Sequence, residues 1–204
     1  RCASRAMSLW STTLRDLVVS LTIDQLGDLA EASAVVKELD SFDIVIFVSR
    51  NAAEFGAQLI RDHNRRLLNA EVFAAGPGTA RRLRELGIDD VEAPINEVGS
   101  EGLLHLDGLS ERCVKNKKVI IFRGNGGPAY LAETLRMRGA EITYCECYER
   151  RKPDVTLKKV LEENNVQIPN VGLATSVEAA ENLAEVITNE QIERLFNMQL
   201  MVAS

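Results

Sequence analysis

The chain has 204 residues, 46% hydrophobic and 26% charged, a composition typical of a globular protein rather than a disordered segment. Its formal net charge of −6 provides no basic surface for a polyanion, so we expect no nucleic-acid partner. No apolar run approaches the roughly 20 residues that cross a bilayer, and the first residues lack the apolar core of a signal peptide, so we expect a cytoplasmic protein without membrane association.

The first clear strand covers residues 42–49, a continuous apolar run that is typical of a parallel strand buried on both faces. The spacing of Ala52, Phe55 and Leu59 predicts an amphipathic helix over residues 51–68. Alternating strands and helices follow, which predicts a parallel sheet with helices on both faces. The predicted strands are 72–76, 91–95, 118–122 and 141–148, and the predicted helices are 77–86, 100–109 and 128–138.

The last part of the chain repeats an earlier part. After a polar stretch at 149–154, the pattern predicts a helix at 156–164, a strand at 171–175, a helix at 177–187 and a strand at 200–204. Twelve residues starting at Ser49 agree with twelve starting at Ser176 at six positions. Chance is one explanation, because Ala and Glu are common in helices. The order of the flanking elements favours a duplication instead.

The duplication predicts two similar flavodoxin-like, three-layer α/β domains with parallel sheets, linked by two extended crossing segments. One domain is expected to be continuous over residues 25–152, and the other to combine residues 1–24 with 153–204. Because the second copy lacks counterparts for segments that flank the first, we expect this discontinuous domain to be incomplete at both ends. We expect the functional site in the cleft between the two domains.

Small, polar and cationic residues follow the predicted strands, at the carboxyl ends where open α/β sheets bind ligands. Each group also precedes a helix, whose first N–H groups and positive dipole end favour anions. Helix capping alone explains any single Ser or Thr among them. Taken together they predict a site for a polycarboxylate or polyphosphate. The groups are Ser49 to Asn51, Gly76 to Thr79, Arg123 to Gly127, and Thr175 with Ser176.

Several familiar sites are absent from the sequence. The loop after Arg123 lacks the glycine spacing of a dinucleotide-binding fingerprint. The segment from Gly76 to Thr79 is not a P-loop, because no Lys-Ser or Lys-Thr pair follows it. Cys145 and Cys147 should share one face of a strand as buried, reduced thiols, since no histidine lies near enough in sequence to complete a metal site. We therefore expect no metal site and no NAD site, and chemistry that depends on binding, positioning and electrostatics.

Five short motifs follow one another along the chain: FVSRNA from Phe47, AGPGTA from Ala75, SEGLL from Ser100, FRGNGG from Phe122 and VGLATS from Val171. In this order and spacing they resemble the uroporphyrinogen-III synthase family. Tyr148, Glu149 and Arg150 resemble the family's segment that crosses between its domains. The resemblance covers residues 41–204, and the chain departs from the family's pattern at its N-terminus.

The resemblance implies a monomeric lyase that needs no cofactor and acts on hydroxymethylbilane, a linear tetrapyrrole with acetate and propionate side chains. Loss of the substrate's hydroxyl group gives an azafulvene, and closure through a spiro intermediate inverts the terminal ring to give uroporphyrinogen III. By position, Tyr148 would assist departure of the hydroxyl. The residues that would bind carboxylates are Ser49, Asn51, Gly76, Thr79, Ser100, Arg123, Gly124, Thr175 and Ser176.

Two other functions fit the sequence. A non-catalytic two-domain protein could close on an anionic small molecule, in which case the ligand would stabilise the fold without being converted. A nucleotide-sugar transferase with two similar domains is a weaker alternative, and a nucleotide diphosphate would then stabilise the fold.

Overall fold

The computed structural model describes residues 22–25, 29–67, 69–151, 171–174, 177–189 and 199–202. The larger of two compact units covers Ile23–Arg151, and the smaller one includes the described residues from 171 to 202. The domain limits expected from the sequence, at 24/25 and 152/153, stay a prediction. None of the helices within the described ranges is both long enough and apolar enough to cross a membrane.

Five strands form the sheet of the larger unit, in the spatial order β3-β2-β4-β5-β1. β2 pairs in parallel with both β3 and β4, and β4 pairs in parallel with β5, which confirms the predicted parallel sheet. The chain leaves β2 for β3 on one side and later places β4 on the other side, so the strand order reverses between β2 and β4. The strands are β1 (Thr22–Gln25), β2 (Ile44–Phe47), β3 (Glu71–Ala74), β4 (Lys118–Gly124) and β5 (Glu141–Arg151).

Helices cover both faces of this sheet, which explains why β2 is apolar throughout. Val45 and Phe47 face a core that includes residues of the first three helices, and Ile44 and Ile46 face a second core that includes residues of the next three. All four β2 side chains are therefore removed from water. The helices are α1 (Ala30–Lys37), α2 (Arg50–Asp62), α3 (Pro77–Glu85), α4 (Gly99–Leu104), α5 (Glu111–Val114) and α6 (Tyr130–Met137).

Three predicted elements differ in length from the observed ones. α2 ends at Asp62 rather than at residue 68, because Asn64 adopts a left-handed conformation (φ 53°) that closes the helix. The strand predicted at 91–95 is reduced to one bridge between Phe73 and Glu92. The helix predicted at 100–109 stops at Leu104 and is followed by a short 3-10 turn and α5.

β5 is longer than predicted, because the polar residues at 149–151 continue the strand instead of starting a linker. α1 is a further helix that was not predicted from the sequence.

The smaller unit contains β6 (Val171–Ala174), α7 (Val177–Asn189) and β7 (Gln199–Val202). β6 and β7 pair in parallel, so these elements have the same order and strand direction as β2, α2 and β3. The strands and the helix predicted between 171 and 204 are confirmed in the described residues. The helix predicted at 156–164 lies outside them.

Candidate functional site

The candidate site lies at the carboxyl end of the large sheet, where the strand order reverses. Ser49 follows β2, and Gly124 is the last residue of the adjacent strand β4. In open α/β sheets a crevice forms at such a reversal, because the connections leave the two strands in opposite directions. The structure brings Ser49 and Gly124 together with Tyr148 of β5 at this position.

Ser49 joins the start of α2 to Tyr148. Its backbone is extended, and its Oγ accepts a hydrogen bond from the Ala52 N–H at 3.0 Å, so Ser49 caps the helix. The same Oγ lies 3.1 Å from the Tyr148 Oη, and either hydroxyl could be the donor. One serine oxygen therefore connects a helix N-terminus to a phenol.

A β-bulge in β5 determines which way Tyr148 points. Arg123 is paired with Glu146 and Gly124 with Tyr148, so Cys147 is an extra residue on β5. Cys145, Cys147 and Tyr148 consequently pack in the same core, which also includes residues of α2. In a regular strand, Tyr148 would share a face with Glu146, two residues earlier, and would point away from Ser49.

The Tyr148 ring is held by packing on two sides. It stacks against Phe55 of α2 with ring centroids 5.8 Å apart. It also lies against Gly124, where an added Cβ would come within 2.6 Å of Tyr148 Cε2. Only 2% of Tyr148 is exposed, so its hydroxyl is shielded from bulk water.

Arg123 lies on the other face of β4 and is 6% exposed. Its Nε donates to the Gly124 carbonyl at 3.2 Å, and its Nη1 donates to the Pro128 carbonyl at 3.3 Å. The guanidinium also lies over the Tyr144 ring, 4.5 Å from its centroid, and Nε is 3.9 Å from the Glu146 carboxylate. These contacts show that the side chain holds the 124–128 loop in place from the face opposite Tyr148.

The remaining proposed binding residues that the structure describes lie at the neighbouring strand ends. Gly76 precedes α3, and the buried Thr79 donates its N–H to the Gly76 carbonyl at 3.1 Å. The Gly99 N–H donates to the Ala75 carbonyl at 2.6 Å, which brings the start of α4, with the half-buried Ser100, to the end of β3. Asn51 is half-buried in the first turn of α2. Thr175 and Ser176 lie outside the described residues.

Cys145 and Cys147 are buried, as the alternation predicted, and share one face of β5. Burial raises the pKa of the Cys147 thiol to about 12. Burial, together with the charge interaction with Cys147, raises the pKa of the Cys145 thiol well above its ordinary value. Neither thiol is therefore a nucleophile near neutral pH. Among the described residues, no group of three or more His, Cys, Asp or Glu side chains could hold a metal ion.

A second depression, of about 310 Å³, lies between α4 and α6 on the face opposite Tyr148. In its lining, His105 Nδ1 lies 2.9 Å from the Glu97 carboxylate, and both side chains are largely exposed. Arg138 at its border donates to the Leu104 carbonyl and so anchors the end of α4.

Two contributors to the site were not predicted from the sequence. Phe55 was assigned only to the buried stripe of a helix, whereas it also stacks on Tyr148. The bulge at Cys147 was not predicted, because it depends on how β5 pairs with β4 and leaves no local sequence signal. Both place the phenol beside Ser49.

The family described as Uroporphyrinogen-III synthase HemD matches residues 19–204. The chain is 36% identical over 142 residues to a protein of Salmonella typhimurium named uroporphyrinogen-III synthase, covering 69% of this chain and 54% of the relative. It is 34% identical over 127 residues to the Escherichia coli protein of the same name, covering 62% and 50%. The chain thus spans about half the length of the curated relatives that it matches.

Two solved structures share the fold. A uroporphyrinogen III synthase from Thermus thermophilus, a triple mutant, superposes with a TM-score of 0.58 at 15% identity, over 89% of this chain and 71% of that one. A uroporphyrinogen-III synthetase from Helicobacter pylori gives a TM-score of 0.58 at 15% identity, over 92% and 85%. At this level of identity the likeness concerns the fold alone.

Proposed function

The chain belongs to the uroporphyrinogen-III synthase family, and we propose that it converts hydroxymethylbilane to uroporphyrinogen III with inversion of the terminal pyrrole ring and loss of water. The observation that carries the proposal is the 3.1 Å contact between the Ser49 and Tyr148 hydroxyls at the carboxyl end of the sheet. It places a shielded phenol next to a helix N-terminus, where a proton donor and an anion site are both available.

In the proposed reaction the Tyr148 phenol assists departure of the substrate's hydroxyl group. The C–O bond of the hydroxymethyl group breaks, and the oxygen takes the phenol proton and leaves as water. The pyrrole nitrogen supplies electrons to the methylene carbon, giving a positively charged azafulvene beside the phenolate. Ring closure then releases one proton from carbon, which returns to the phenolate, so the net change is loss of one water molecule.

We propose that the substrate reaches the phenol from the side of Ser49 and Gly124, which are half-buried at the sheet end. Its carboxylates would bind near the N-termini of α2 and α3, where the positive end of the helix dipole favours anions. The residues proposed for this binding are Ser49, Asn51, Gly76, Thr79, Ser100, Gly124, Thr175 and Ser176. Arg123, also expected from the resemblance, directs its guanidinium to the opposite face of the sheet. The proposal also includes two similar domains, a monomeric state and no cofactor.

Much of the reaction depends on conformation, because the same linear tetrapyrrole also closes without inversion when no enzyme directs it. Binding that holds the terminal ring in a near-attack geometry would therefore decide the product. A net-negative protein must hold the substrate's carboxylates with local donors, which agrees with the choice of helix N-termini.

The test is to supply freshly made hydroxymethylbilane to the protein and to separate the uroporphyrinogen isomers. We expect the type III isomer in excess of the type I isomer formed without protein. If only the type I isomer forms, the proposed function is wrong. Thermal stabilisation by the tetrapyrrole without turnover would instead support the non-catalytic binding protein.

A further inference from the structure

We infer that Ser49 is a positioning residue, whose hydroxyl donates a hydrogen bond to Tyr148 Oη and so turns the phenol proton toward the substrate. This inference rests on the proposed function and assigns Ser49 a different role from carboxylate binding. It follows from the two hydrogen bonds made by one oxygen, to Ala52 at 3.0 Å and to Tyr148 at 3.1 Å.

The hydrogen-bonding capacity of the two hydroxyls allows both directions, and the acid role proposed for Tyr148 decides between them. A serine hydroxyl has one proton and two lone pairs, and the Ala52 N–H uses one lone pair of Ser49. The Ser49 proton is therefore available for Tyr148. If Tyr148 donated to Ser49 instead, its single proton would be occupied and could not pass to the leaving hydroxyl. Only donation by Ser49 leaves Tyr148 able to act as an acid.

The position of Ser49 also suits the charge that develops during the reaction. Tyr148 becomes a phenolate as its proton leaves, and a donor already directed at the oxygen stabilises that charge without reorganisation. The Ala52 N–H polarises the Ser49 hydroxyl, and successive hydrogen bonds strengthen one another in a site shielded from water. The positive end of α2, a helix of 13 residues, acts in the same direction.

Packing leaves the phenol little freedom to find another partner. The ring is fixed between Phe55 and Gly124, and the Tyr148 carbonyl accepts a hydrogen bond from the Asn125 N–H at 2.9 Å. The oxygen position is thus determined by the fold, and Ser49 determines the direction of its proton. Throughout the step the Ser49 proton stays on its own oxygen.

Three substitutions at Ser49 separate the donor from the helix cap. Thr keeps both functions, Asp keeps the cap but donates no proton when ionised, and Ala removes both. We expect Ser49→Thr to keep kcat within about threefold of the wild type. Ser49→Asp and Ser49→Ala should each lower kcat by about 10²-fold, as for loss of one preorganised donor, and the uncharged Ala should leave KM little changed. A raised KM with unchanged kcat in the Ala variant would instead assign Ser49 to carboxylate binding and overturn the inference.

A double-mutant cycle with Tyr148→Phe adds an independent measurement. If Ser49 acts through Tyr148, Ser49→Ala should cause no further loss in the Tyr148→Phe background, and additive losses overturn the inference. The wild-type isomer ratio keeps the two hypotheses apart. A wild type that yields only the type I isomer refutes the proposed function itself. If the wild type yields type III and Ser49→Ala raises KM without changing kcat, only the inference is refuted.

Discussion

The ring of Tyr148 occupies the space beside the α-carbon of Gly124 in which any larger residue would place its side chain. A Cβ on Gly124 would lie 2.6 Å from Tyr148 Cε2 and 2.7 Å from Cζ. The two residues are partners across β4 and β5, immediately after the bulge. The position of the phenol therefore depends on the absence of a side chain on the neighbouring strand.

We expect Gly124→Ala to displace the Tyr148 ring and to destabilise the larger unit by about 1–3 kcal/mol, as overpacking does. Type III formation should fall by more than the loss of folded protein explains. Urea unfolding and the isomer assay measure the two effects. Gly78→Ala is the stability control, because an added Cβ would make only an ordinary contact 3.8 Å from Arg50. A Gly124→Ala variant with the same stability and the same type III activity as the wild type would contradict the prediction.

Tyr148→Phe should keep the ring's contacts with Phe55 and Gly124 while removing the proton donor. We expect type III formation to slow by about 10²–10⁴-fold, the range for loss of a general acid, with stability changed by about 1 kcal/mol or less. Single-turnover kinetics and thermal unfolding measure these effects. Tyr130→Phe is a matched control, because Tyr130 is 52% exposed and lies outside the proposed site. An unchanged rate would remove Tyr148 from the mechanism.

Arg123→Ala should destabilise the larger unit by about 1–3 kcal/mol, because it removes a buried side chain that packs on the Tyr144 ring and donates to two carbonyls of the 124–128 loop. Arg136→Ala is the control: Arg136 is exposed and lies 5.6 Å from the centroid of the same Tyr144 ring. We expect it to change stability by about 1 kcal/mol or less. Urea unfolding of both variants checks the difference, and similar losses would contradict a buried role for Arg123.

Asp43 ties the start of β2 to β4, because its carboxylate accepts from the Lys118 N–H at 2.8 Å and from Lys117 Nζ at 3.2 Å. The backbone N–H of Lys118, with Lys117, lowers the pKa of Asp43 below its ordinary value of 3.8. A lowered folded-state pKa contributes stability above the unfolded pKa, and that contribution is lost as the pH falls through the folded pKa.

We therefore expect Asp43→Asn to lower stability at pH 7 by about 0.5–1 kcal/mol, a modest value because the side chain is 39% exposed and screened by solvent. The difference from the wild type should shrink as the pH falls below about 4. Urea unfolding across pH 3–7 measures it, with the exposed Asp90→Asn as control. A difference that is constant over this range would contradict the ionic origin.

The thiols of Cys145 and Cys147 should react only when the larger unit unfolds. In a Cys2→Ser, Cys113→Ser variant these two are the remaining cysteines. Because burial raises the pKa of Cys147 to about 12 and raises that of Cys145 as well, almost no thiolate exists at pH 8. We expect no rapid reaction with a thiol reagent in the native protein and two reactive thiols in urea. Rapid labelling without denaturant would disprove the burial.

Much of the fold follows from local pattern. The apolar run before Ser49 predicted a strand buried on both faces, and Ser49 itself predicted the start of α2. Because parallel strands end at one edge of a sheet, alternating strands and helices also indicated where Ser49, Gly76 and Gly124 would lie. These inferences needed no knowledge of which strands are neighbours.

The arrangement around Tyr148 could not be predicted in the same way. The extra residue at Cys147 reverses the face expected for Tyr148, and it arises from the pairing of β4 with β5 rather than from a local motif. The direction of Arg123 was also not evident from local sequence. A cation at a strand end suggests an anion site, but the position of Arg123 on β4 places its guanidinium on the face opposite Tyr148. Long-range pairing decides both.

The sheet order also has a kinetic consequence for protein synthesis. β1 ends at Gln25 but lies at the sheet edge beside β5, which begins only at Glu141. The edge strand is therefore made first and paired last, and closing so long a loop slows folding. During translation, β1 would therefore stay unpaired until β5, the last strand of the larger unit, has left the ribosome.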